Sequence, residues 1–303
     1  MNKFPVILLG LLSAARLQGA DLTEQYTPLG QLIVTNLASA PFPHPLRAQG
    51  HQYKEKFFSA ADHYQDSHVA LFVPRDFRAG GEVDLVVHFH GWGNNLSNAL
   101  AKYQLIGQFA ASRRNAILIV PQGPVDASDS FGGKLEDADG FKRFIAEALS
   151  ALGQRGILGD ARPGRIILSG HSGGYEVISA VLARGGLTDH VREVWLFDAL
   201  YGKTERFVLW FDHHPGRFID LYTAHGGTLE ESEELMTALR GNGVPFFSAD
   251  ETNAIAADLR ANPLIFLFSD LPHDEVMQTR GTFQRFLETS VLSPIQPETA
   301  PQP

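Results

Sequence analysis

The sequence predicts an α/β protein with a mainly parallel central sheet that is covered by helices on both faces. Short apolar runs alternate with longer segments of helical spacing over residues 67–290. Strands that alternate with helices in this way form parallel sheets that are buried on both faces. The chain has 303 residues, of which 44% are hydrophobic and 19% charged, and this is enough for one large domain. We find no internal repeat and no linker that would divide it.

Residues 1–20 have the pattern of a cleaved secretory signal. Lys3 supplies a positive charge, and the apolar run Phe4–Leu12 is too short to span a bilayer. Small residues follow, so we predict cleavage after Ala20, with a cut after Ala15 as the alternative. A buried amino-terminal helix is the other interpretation of this segment. We expect a periplasmic or secreted protein that has no stable membrane span once the signal is removed.

The segments on either side of residues 67–290 lack a regular period. Residues 21–66 are predicted to be an arm that wraps on the main domain, and Pro41–Pro45 within it must be extended or turning. Lys54–Phe58 is the candidate first strand. Residues 291–303 are rich in proline and are predicted to form a disordered tail.

The elements of the main domain follow from apolar runs and helix signals. Three runs predict the first strands: His68–Pro74, Asp84–His90 and Ala116–Pro121. Helices are predicted over Ser97–Ser112 and, with Asp139 as the cap, over Gly140–Leu152. Three later runs predict strands: Val194–Phe197, Arg217–Tyr222 and Leu264–Phe268. A capping box of Thr228 and Glu231 predicts a helix that ends near Arg240, and Asp274 is expected to begin a last helix that ends near Thr289.

A serine lies at a sharp junction between a strand and a helix in the middle of the chain. Arg165–Gly170 is an apolar run, Ser172 has glycines on both sides, and Tyr175–Leu182 carries apolar residues on one helical face. In this context a G-x-S-x-G sequence presents the serine hydroxyl at the carboxyl end of a sheet, because glycines permit the tight turn and close packing. A glycine-rich turn with an incidental serine is the alternative interpretation.

Over residues 53–290 the chain resembles the α/β-hydrolases. The nucleophile elbow of that family corresponds to Gly170–Gly174, and its oxyanion loop, a His-Gly pair after an earlier strand, corresponds to His90–Gly93. The resemblance implies an α/β-hydrolase fold for residues 67–290, with an acid and a histidine on loops after later strands. His68–Gly93 also resembles, more loosely, secreted polyester depolymerases and feruloyl-esterase-like enzymes.

The resemblance implies that His273 is the catalytic histidine, since it lies in the loop directly after the last strand. His225, in the loop after the preceding strand, is the reserve candidate. His171 lies inside the elbow and is expected to point the wrong way. His213 and His214 are expected in a loop, either exposed or in a pocket wall.

Asp198 is the predicted acid because it follows the strand Val194–Phe197 at a position suited to reach the histidine. Many hydrolases of this type place the acid one strand later, but the corresponding loop here, Thr223–Gly227, has no carboxylate. An aspartate that only caps a turn is the alternative interpretation. The aspartates that we consider less suited lie inside a strand or too close to His273 in sequence: Asp220, Asp270 and Asp274.

These residues together predict nucleophilic catalysis without a cofactor. His273 would take the proton of Ser172, and Asp198 would orient the imidazole and stabilise its positive charge. The backbone N–H groups of Trp92 and Gly173 would bind the substrate oxyanion, while His90 and Gly91 support the oxyanion loop. His88 and His90 could present two imidazoles to a metal, but no nearby aspartate or further histidine completes a set, so we predict no metal site.

The substrate is less defined. Two insertions, Gly123–Asp137 and Tyr201–Gly216, are predicted to form the pocket, with Phe131, Tyr201 and Trp210 in its walls. The first prediction is a hydrolase of small-molecule or polymer carboxylic esters. An amide or peptide hydrolase with the same triad is the alternative, followed by an acyltransferase and a non-catalytic binding protein. The net charge of −9 and the absence of a basic cluster argue against nucleic acid, and the absence of cysteine excludes disulfides and a thiol nucleophile.

Overall fold

The computed structural model describes residues 23–296, so the predicted signal sequence lies outside the described residues. The strands are β1 Gly30–Asn36, β2 His51–Tyr53, β3 Lys56–Phe58, β4 His68–Pro74, β5 Glu82–Phe89, β6 Ile117–Pro121, β7 Arg162–His171, β8 Val191–Phe197, β9 Arg217–Thr223, β10 Phe247–Asp250 and β11 Leu264–Ser269. The helices are α1 Ala60–His63, α2 Leu96–Lys102, α3 Leu105–Ala111, α4 Gly140–Gly153, α5 Gly174–Arg184, α6 Thr204–His213, α7 Leu229–Gly241, α8 Ala256–Ala261 and α9 Thr282–Thr289.

Nine of these strands form one sheet in the order β1-β4-β6-β5-β7-β8-β9-β11-β10, and β2 and β3 form a separate hairpin. The pairs β1/β4 and β4/β6 are antiparallel, whereas the remaining neighbours in the sheet are parallel. The prediction of a mainly parallel sheet is therefore confirmed. Because parallel strands end at the same edge, the loops after β5, β7, β8, β9 and β11 meet there.

Two apolar layers cover the sheet, one on each face. Successive strand residues enter opposite layers, as in β7, where Ile166 and Leu168 pack in one layer and Ile167 in the other. Helices α4 to α7 cover the first face and α2, α3 and α9 the second. Both faces are therefore buried, which explains why the central strands are continuous apolar runs rather than alternating ones.

Several predicted boundaries are wrong. The single helix expected over Ser97–Ser112 is two helices, because Gln104 adopts a left-handed conformation with φ 49°. Helix α4 begins at Gly140 as predicted, but Asp139 is itself left-handed and its side chain makes no capping hydrogen bond. The last helix begins at Thr282 rather than Asp274, which lies in a short 3-10 turn.

The amino-terminal arm contributes to the sheet. Strand β1 pairs antiparallel with β4 along its whole length, and its short, mixed sequence at a sheet edge explains why no period marked it. The predicted strand Lys54–Phe58 is shorter, since Lys54 lies in the turn of the β2–β3 hairpin with φ 53°. The arm thus adds an edge strand to the sheet of the main domain.

The prediction of a disordered tail is wrong for residues 291–296. Asn115 donates a backbone hydrogen bond to Ser293 at 2.8 Å, and Ile295 donates one to Arg113 at 2.7 Å. Leu292 and Ile295 are buried. Burial of these apolar side chains orders the segment although it contains proline. The rest of the predicted tail, residues 297–303, lies outside the described residues.

Candidate active site

Three candidate residues follow three strands at one edge of the sheet. Ser172 comes directly after β7, Asp198 directly after β8, and His273 four residues after the end of β11. Since β7, β8, β9 and β11 are consecutive parallel neighbours, their carboxyl ends bring these residues together although they are distant in sequence.

Ser172 lies on a strained turn between β7 and α5. Its φ is 54°, a left-handed conformation that is costly for a residue with a side chain. The flanking glycines are required by packing: a Cβ at Gly170 would lie 2.7 Å from Ile178 Cδ1, and one at Gly174 would lie 2.7 Å from the Phe89 carbonyl oxygen. The turn therefore holds the backbone of Ser172 at the end of the sheet.

Asp198 and His273 form a partly buried, charge-assisted pair. His273 Nδ1 donates to Asp198 Oδ2 at 2.5 Å, which leaves Nε2 of the same ring as the proton acceptor. Asp198 is fully buried. Burial acts to raise the pKa of Asp198, but hydrogen bonds from His273, Thr228 and Thr223 and the charge of His273 outweigh it and hold the pKa below its usual value.

The last residue of β9 and the residue before α7, both threonines, donate their hydroxyl groups to Asp198. Thr223 donates to the carboxylate through its backbone N–H at 3.1 Å and its hydroxyl at 2.9 Å, and the Thr228 hydroxyl donates as well. The predicted capping box of Thr228 is therefore wrong, because its side chain does not cap α7 and a buried carboxylate is the stronger acceptor. Gly226 leaves room for this approach, since a Cβ there would lie 1.6 Å from Asp198 Oδ2.

The other candidate acids have other partners, and the reserve histidine is exposed. Asp270 accepts from Arg280 at 2.6 Å, and Asp274 pairs with Lys102 at 3.0 Å. Asp220 accepts from Ser232 at 2.6 Å, and His225 is exposed. The structure thus pairs His273 with Asp198 and with none of these.

Asp220 gives a test of the buried charges. Burial raises the pKa of Asp220 to about 7, whereas an aspartate in an unfolded chain ionises near pH 4. Between these values the folded state binds more protons than the unfolded state, so wild-type stability falls as the pH rises through this window. The Asp220→Asn variant should lack this loss and gain on the order of 4 kcal/mol relative to wild type between pH 4 and pH 8.

Urea unfolding of both proteins across that pH range measures the difference. A constant difference in unfolding free energy between the two proteins would contradict the assigned protonation of Asp220. Turnover should be unaffected, which makes the same variant a control for Asp198 below.

The predicted oxyanion loop, His90–Gly93, is held by His90, which is buried. His90 Nδ1 lies 2.9 Å from the Gly91 carbonyl oxygen, and a carbonyl only accepts, so Nδ1 carries the proton. Nε2 then accepts from Gln122 Nε2 and from Gly123 N, both at 3.0 Å. Burial lowers the pKa of His90, which keeps the ring neutral and consistent with this arrangement.

Fixing the Gly91 carbonyl also fixes the next N–H. In a planar trans peptide the carbonyl and the following N–H point in opposite directions, so His90 orients the N–H of Trp92. Within residues 23–296, neither Trp92 N nor Gly173 N donates a hydrogen bond to the protein. Both predicted oxyanion donors are thus available to a ligand.

Replacing Gly91 by alanine is expected to disrupt this loop. A Cβ at Gly91 would lie 2.5 Å from Ser172 Cβ and 2.9 Å from the His171 carbonyl oxygen, so the loop must move away from Ser172. Loss of one oxyanion donor costs about 100-fold to 1,000-fold in kcat, and we expect an effect of that size. Gly107→Ala is the matched control, since nothing lies within 4 Å of its added Cβ; equal kcat values in the two variants would refute the assignment of this loop.

A small pocket opens beside Ser172. Its volume is about 260 Å³, and its walls are Trp92, Ser130, Ser172, Gly173, Tyr175 and Tyr201. The Trp92 indole N–H donates to Ser130 Oγ at 2.6 Å, which fixes one aromatic wall. Ser130 and Tyr175 were not predicted; Tyr175 follows the elbow glycines directly, and that position was the signal available for it.

Of the three predicted pocket residues, only Tyr201 lines this pocket. The prediction for Trp210 is wrong. The insertion Tyr201–Gly216 contains helix α6, and Trp210 faces the core with 2% of its surface exposed. Phe131 is not among the walls of this pocket; its ring packs 5.0 Å from the His44 ring and 4.6 Å from the Arg47 guanidinium. The helical spacing of apolar residues in the insertion Tyr201–Gly216 was the signal that could have identified Trp210 as a core residue rather than a pocket residue.

The histidines near the site have separate partners. His88 Nδ1 lies 2.9 Å from Ser169 Oγ, whereas the ring nitrogens of His90 contact Gly91, Gln122 and Gly123. Among residues 23–296, one set of three side chains, His171, His273 and Asp274, has potential metal-ligating atoms within 4.8 Å of one another. Their pairing with Asp198 and Lys102 engages two of the three, so the set fits a metal poorly.

Comparison with known proteins identifies the fold. No protein-family model and no curated protein matches the sequence. Among solved structures, the chain is similar to a serine-to-alanine mutant of the feruloyl esterase module of Clostridium thermocellum in complex with sinapinate, with a TM-score of 0.52, 11% identity and coverage of 86% of this chain and 88% of that one. A fluorophosphonate-binding serine hydrolase of Staphylococcus aureus also matches, with a TM-score of 0.48, 12% identity and coverage of 85% and 99%. The chain has the α/β-hydrolase fold, as the sequence resemblance implied.

Proposed function

We propose that this protein is a serine hydrolase that cleaves a carboxylic ester through an acyl-enzyme intermediate. The observation that carries the proposal is the 2.5 Å hydrogen bond from His273 to the buried Asp198. Ser172 lies on a strained turn with φ 54° at the end of the strand that neighbours the strand before Asp198. A serine hydroxyl is a weak nucleophile at neutral pH and needs such a base. The feruloyl esterase module shares the fold, but the proposal rests on these residues.

In the acylation step, Ser172 Oγ attacks the ester carbonyl carbon as His273 Nε2 takes its proton. The resulting imidazolium donates that proton to the leaving alkoxide, and the C–O bond of the ester breaks. A water molecule then repeats the sequence on the acyl-enzyme and releases the acid. Asp198 stabilises the imidazolium in both steps, because its negative charge lies against Nδ1.

The carbonyl oxygen becomes negative in each tetrahedral intermediate. The N–H groups of Trp92 and Gly173 are proposed to bind it, with His90 and Gly91 as support for the first of them. Because the donors are fixed before the substrate arrives, no reorganisation accompanies the reaction.

The pocket favours a small acyl or alcohol group with an apolar ring or chain. Trp92, Tyr175 and Tyr201 provide its aromatic surface, and a volume of about 260 Å³ suits one such group rather than a long chain. The open side leaves space for the rest of a small molecule or for a polymer.

We also propose that the protein is exported through residues 1–20. In the described part of the chain, no helix has both the length and the apolar character required to cross a membrane. Mass analysis of the protein recovered outside the cytoplasm of an expressing bacterium would identify the amino terminus; an intact Met1 there would contradict the proposal.

The test of the activity is intact-mass labelling with a fluorophosphonate, beside the Ser172→Ala variant. A single adduct that is absent from the variant would support an activated Ser172 in a formed oxyanion site. A panel of esters and matched amides then separates the two hydrolase activities. A folded wild-type protein that forms no adduct and cleaves no ester would overturn the proposal.

A further inference from the structure

We propose that His171, the residue before the nucleophile, is a positioning residue that holds His273 through its backbone and its ring. This inference rests on the proposed function and extends it. His171 Nε2 lies 3.0 Å from the His273 carbonyl oxygen. The two rings are 4.5 Å apart between centroids and inclined by 40°. His171 was expected to point the wrong way for chemistry, and it contacts the proposed base instead.

The hydrogen bonds determine one tautomer for His171. Because the His273 carbonyl can only accept, Nε2 of His171 must carry the proton. Nδ1 is then an acceptor, and the Tyr103 hydroxyl, 3.1 Å away, donates to it. Asn94 Nδ2 donates in turn to the Tyr103 oxygen at 3.3 Å. Each hydrogen bond in this series has a defined donor and acceptor, so the imidazole of His171 has one preferred orientation.

The surroundings of His171 require a neutral ring. Burial lowers its pKa to about 4, and the nearby charge of His273 acts in the same direction. The titratable groups around it are His88, Tyr103, Asp198, His273 and Asp274. A neutral His171 can lie against His273 when that ring becomes positive, whereas a charged one would oppose proton transfer from Ser172.

The break between α2 and α3 places Tyr103 in this chain. Gln104 is left-handed, which ends α2 and lets Tyr103 turn into the protein, where it is 1% exposed. Gln108 donates to the Tyr103 carbonyl at 2.7 Å and accepts from the backbone of Gln284 in α9 at 3.0 Å. Lys102 pairs with Asp274 at 3.0 Å, a second link between this junction and the His273 loop.

The loop that carries His273 needs such support. It connects β11 to α9 through a short 3-10 turn, His273–Glu275, rather than through a regular element. The Asp198 hydrogen bond fixes only one atom of the His273 ring. The His171 contacts fix its backbone and one face of the ring, which together define the direction of Nε2.

The experiment compares His171→Phe, His171→Gln and Tyr103→Phe with wild type. Phenylalanine keeps a ring against His273 but removes both hydrogen bonds, and glutamine can restore the donor to the His273 carbonyl. Tyr26→Phe is the control for loss of a tyrosine hydroxyl, since Tyr26 lies ahead of β1 and outside the site. The readouts are the rate of fluorophosphonate labelling, kcat and KM on one ester, and the low-field proton resonance of His273 Nδ1–H.

We expect His171→Phe to lower kcat and the labelling rate up to about 100-fold, as small displacements of catalytic groups do, with KM unchanged. His171→Gln should recover part of the loss, Tyr103→Phe should give a smaller loss, and the His273 resonance should shift or broaden in the slow variants. Wild-type labelling rates and an unchanged resonance in both His171→Phe and Tyr103→Phe would overturn this inference alone. A folded wild-type protein that neither labels nor cleaves an ester would overturn the proposed function and this inference with it.

Discussion

Alanine at Ser172 or at His273 is expected to lower kcat about a million-fold on any substrate of the enzyme. Removal of Ser172 deletes the nucleophile. Removal of His273 leaves the Ser172 hydroxyl without a base. Since the two groups act in one proton transfer, the double variant should be no slower than either single variant. Steady-state kinetics with an aryl ester measures all three, and a loss in the double variant equal to the product of the single losses would show independent roles.

The two substitutions should differ in their effect on stability. Ser172→Ala removes a partly exposed hydroxyl and should leave the unfolding temperature close to that of wild type. His273→Ala removes one donor from the buried Asp198 carboxylate, which we expect to cost about 1–3 kcal/mol of unfolding free energy. His225→Ala is the matched control, because His225 is exposed after β9; loss of turnover in that variant instead would move the base to His225.

The fold could be predicted because its signals are local. Central strands such as β7 are apolar on both faces, and the helices after them show regular spacing, so each element is visible in a short window. The edge strand β1 was missed because its own sequence shows no strand period. Its extended conformation depends on the pairing with β4. The division of the Ser97–Ser112 segment was missed for a similar reason: the left-handed Gln104 serves tertiary contacts of Tyr103 rather than a local propensity.

The candidate site was predictable to the extent that chain order determines it. Ser172, Asp198 and His273 follow strands, and strand ends converge in a parallel sheet. The residues that support these three side chains cannot be predicted from the order of elements along the chain. Thr228 has the sequence signature of a helix cap, but the structure gives its hydroxyl to Asp198, and only three-dimensional proximity reveals that competition. Likewise, the sequence predicts Trp210 as an aromatic pocket residue, whereas helix α6 directs its side chain toward the core.

Asp198→Asn is the substitution that best separates the roles of the site. Asparagine keeps the shape of the side chain and an acceptor for His273 Nδ1, but it cannot stabilise the imidazolium with a full charge. Its amide N–H also meets the donors from Thr223 and Thr228 unfavourably, so the side chain has two reasons to rotate. We expect kcat to fall about 10,000-fold while the labelled serine remains Ser172.

The controls for this prediction are Asp220→Asn and Asp270→Asn, which should keep wild-type kcat. A pH series adds a second criterion. The depressed pKa of Asp198 stabilises the folded wild type above the pKa of an unfolded aspartate, and this contribution is lost as the pH falls through the folded value. The Asp198→Asn variant should lack that acid-dependent loss. If turnover fell in Asp220→Asn and persisted in Asp198→Asn, the acid would lie inside β9, and the hydroxyl groups around Asp198 would have to be explained by folding alone.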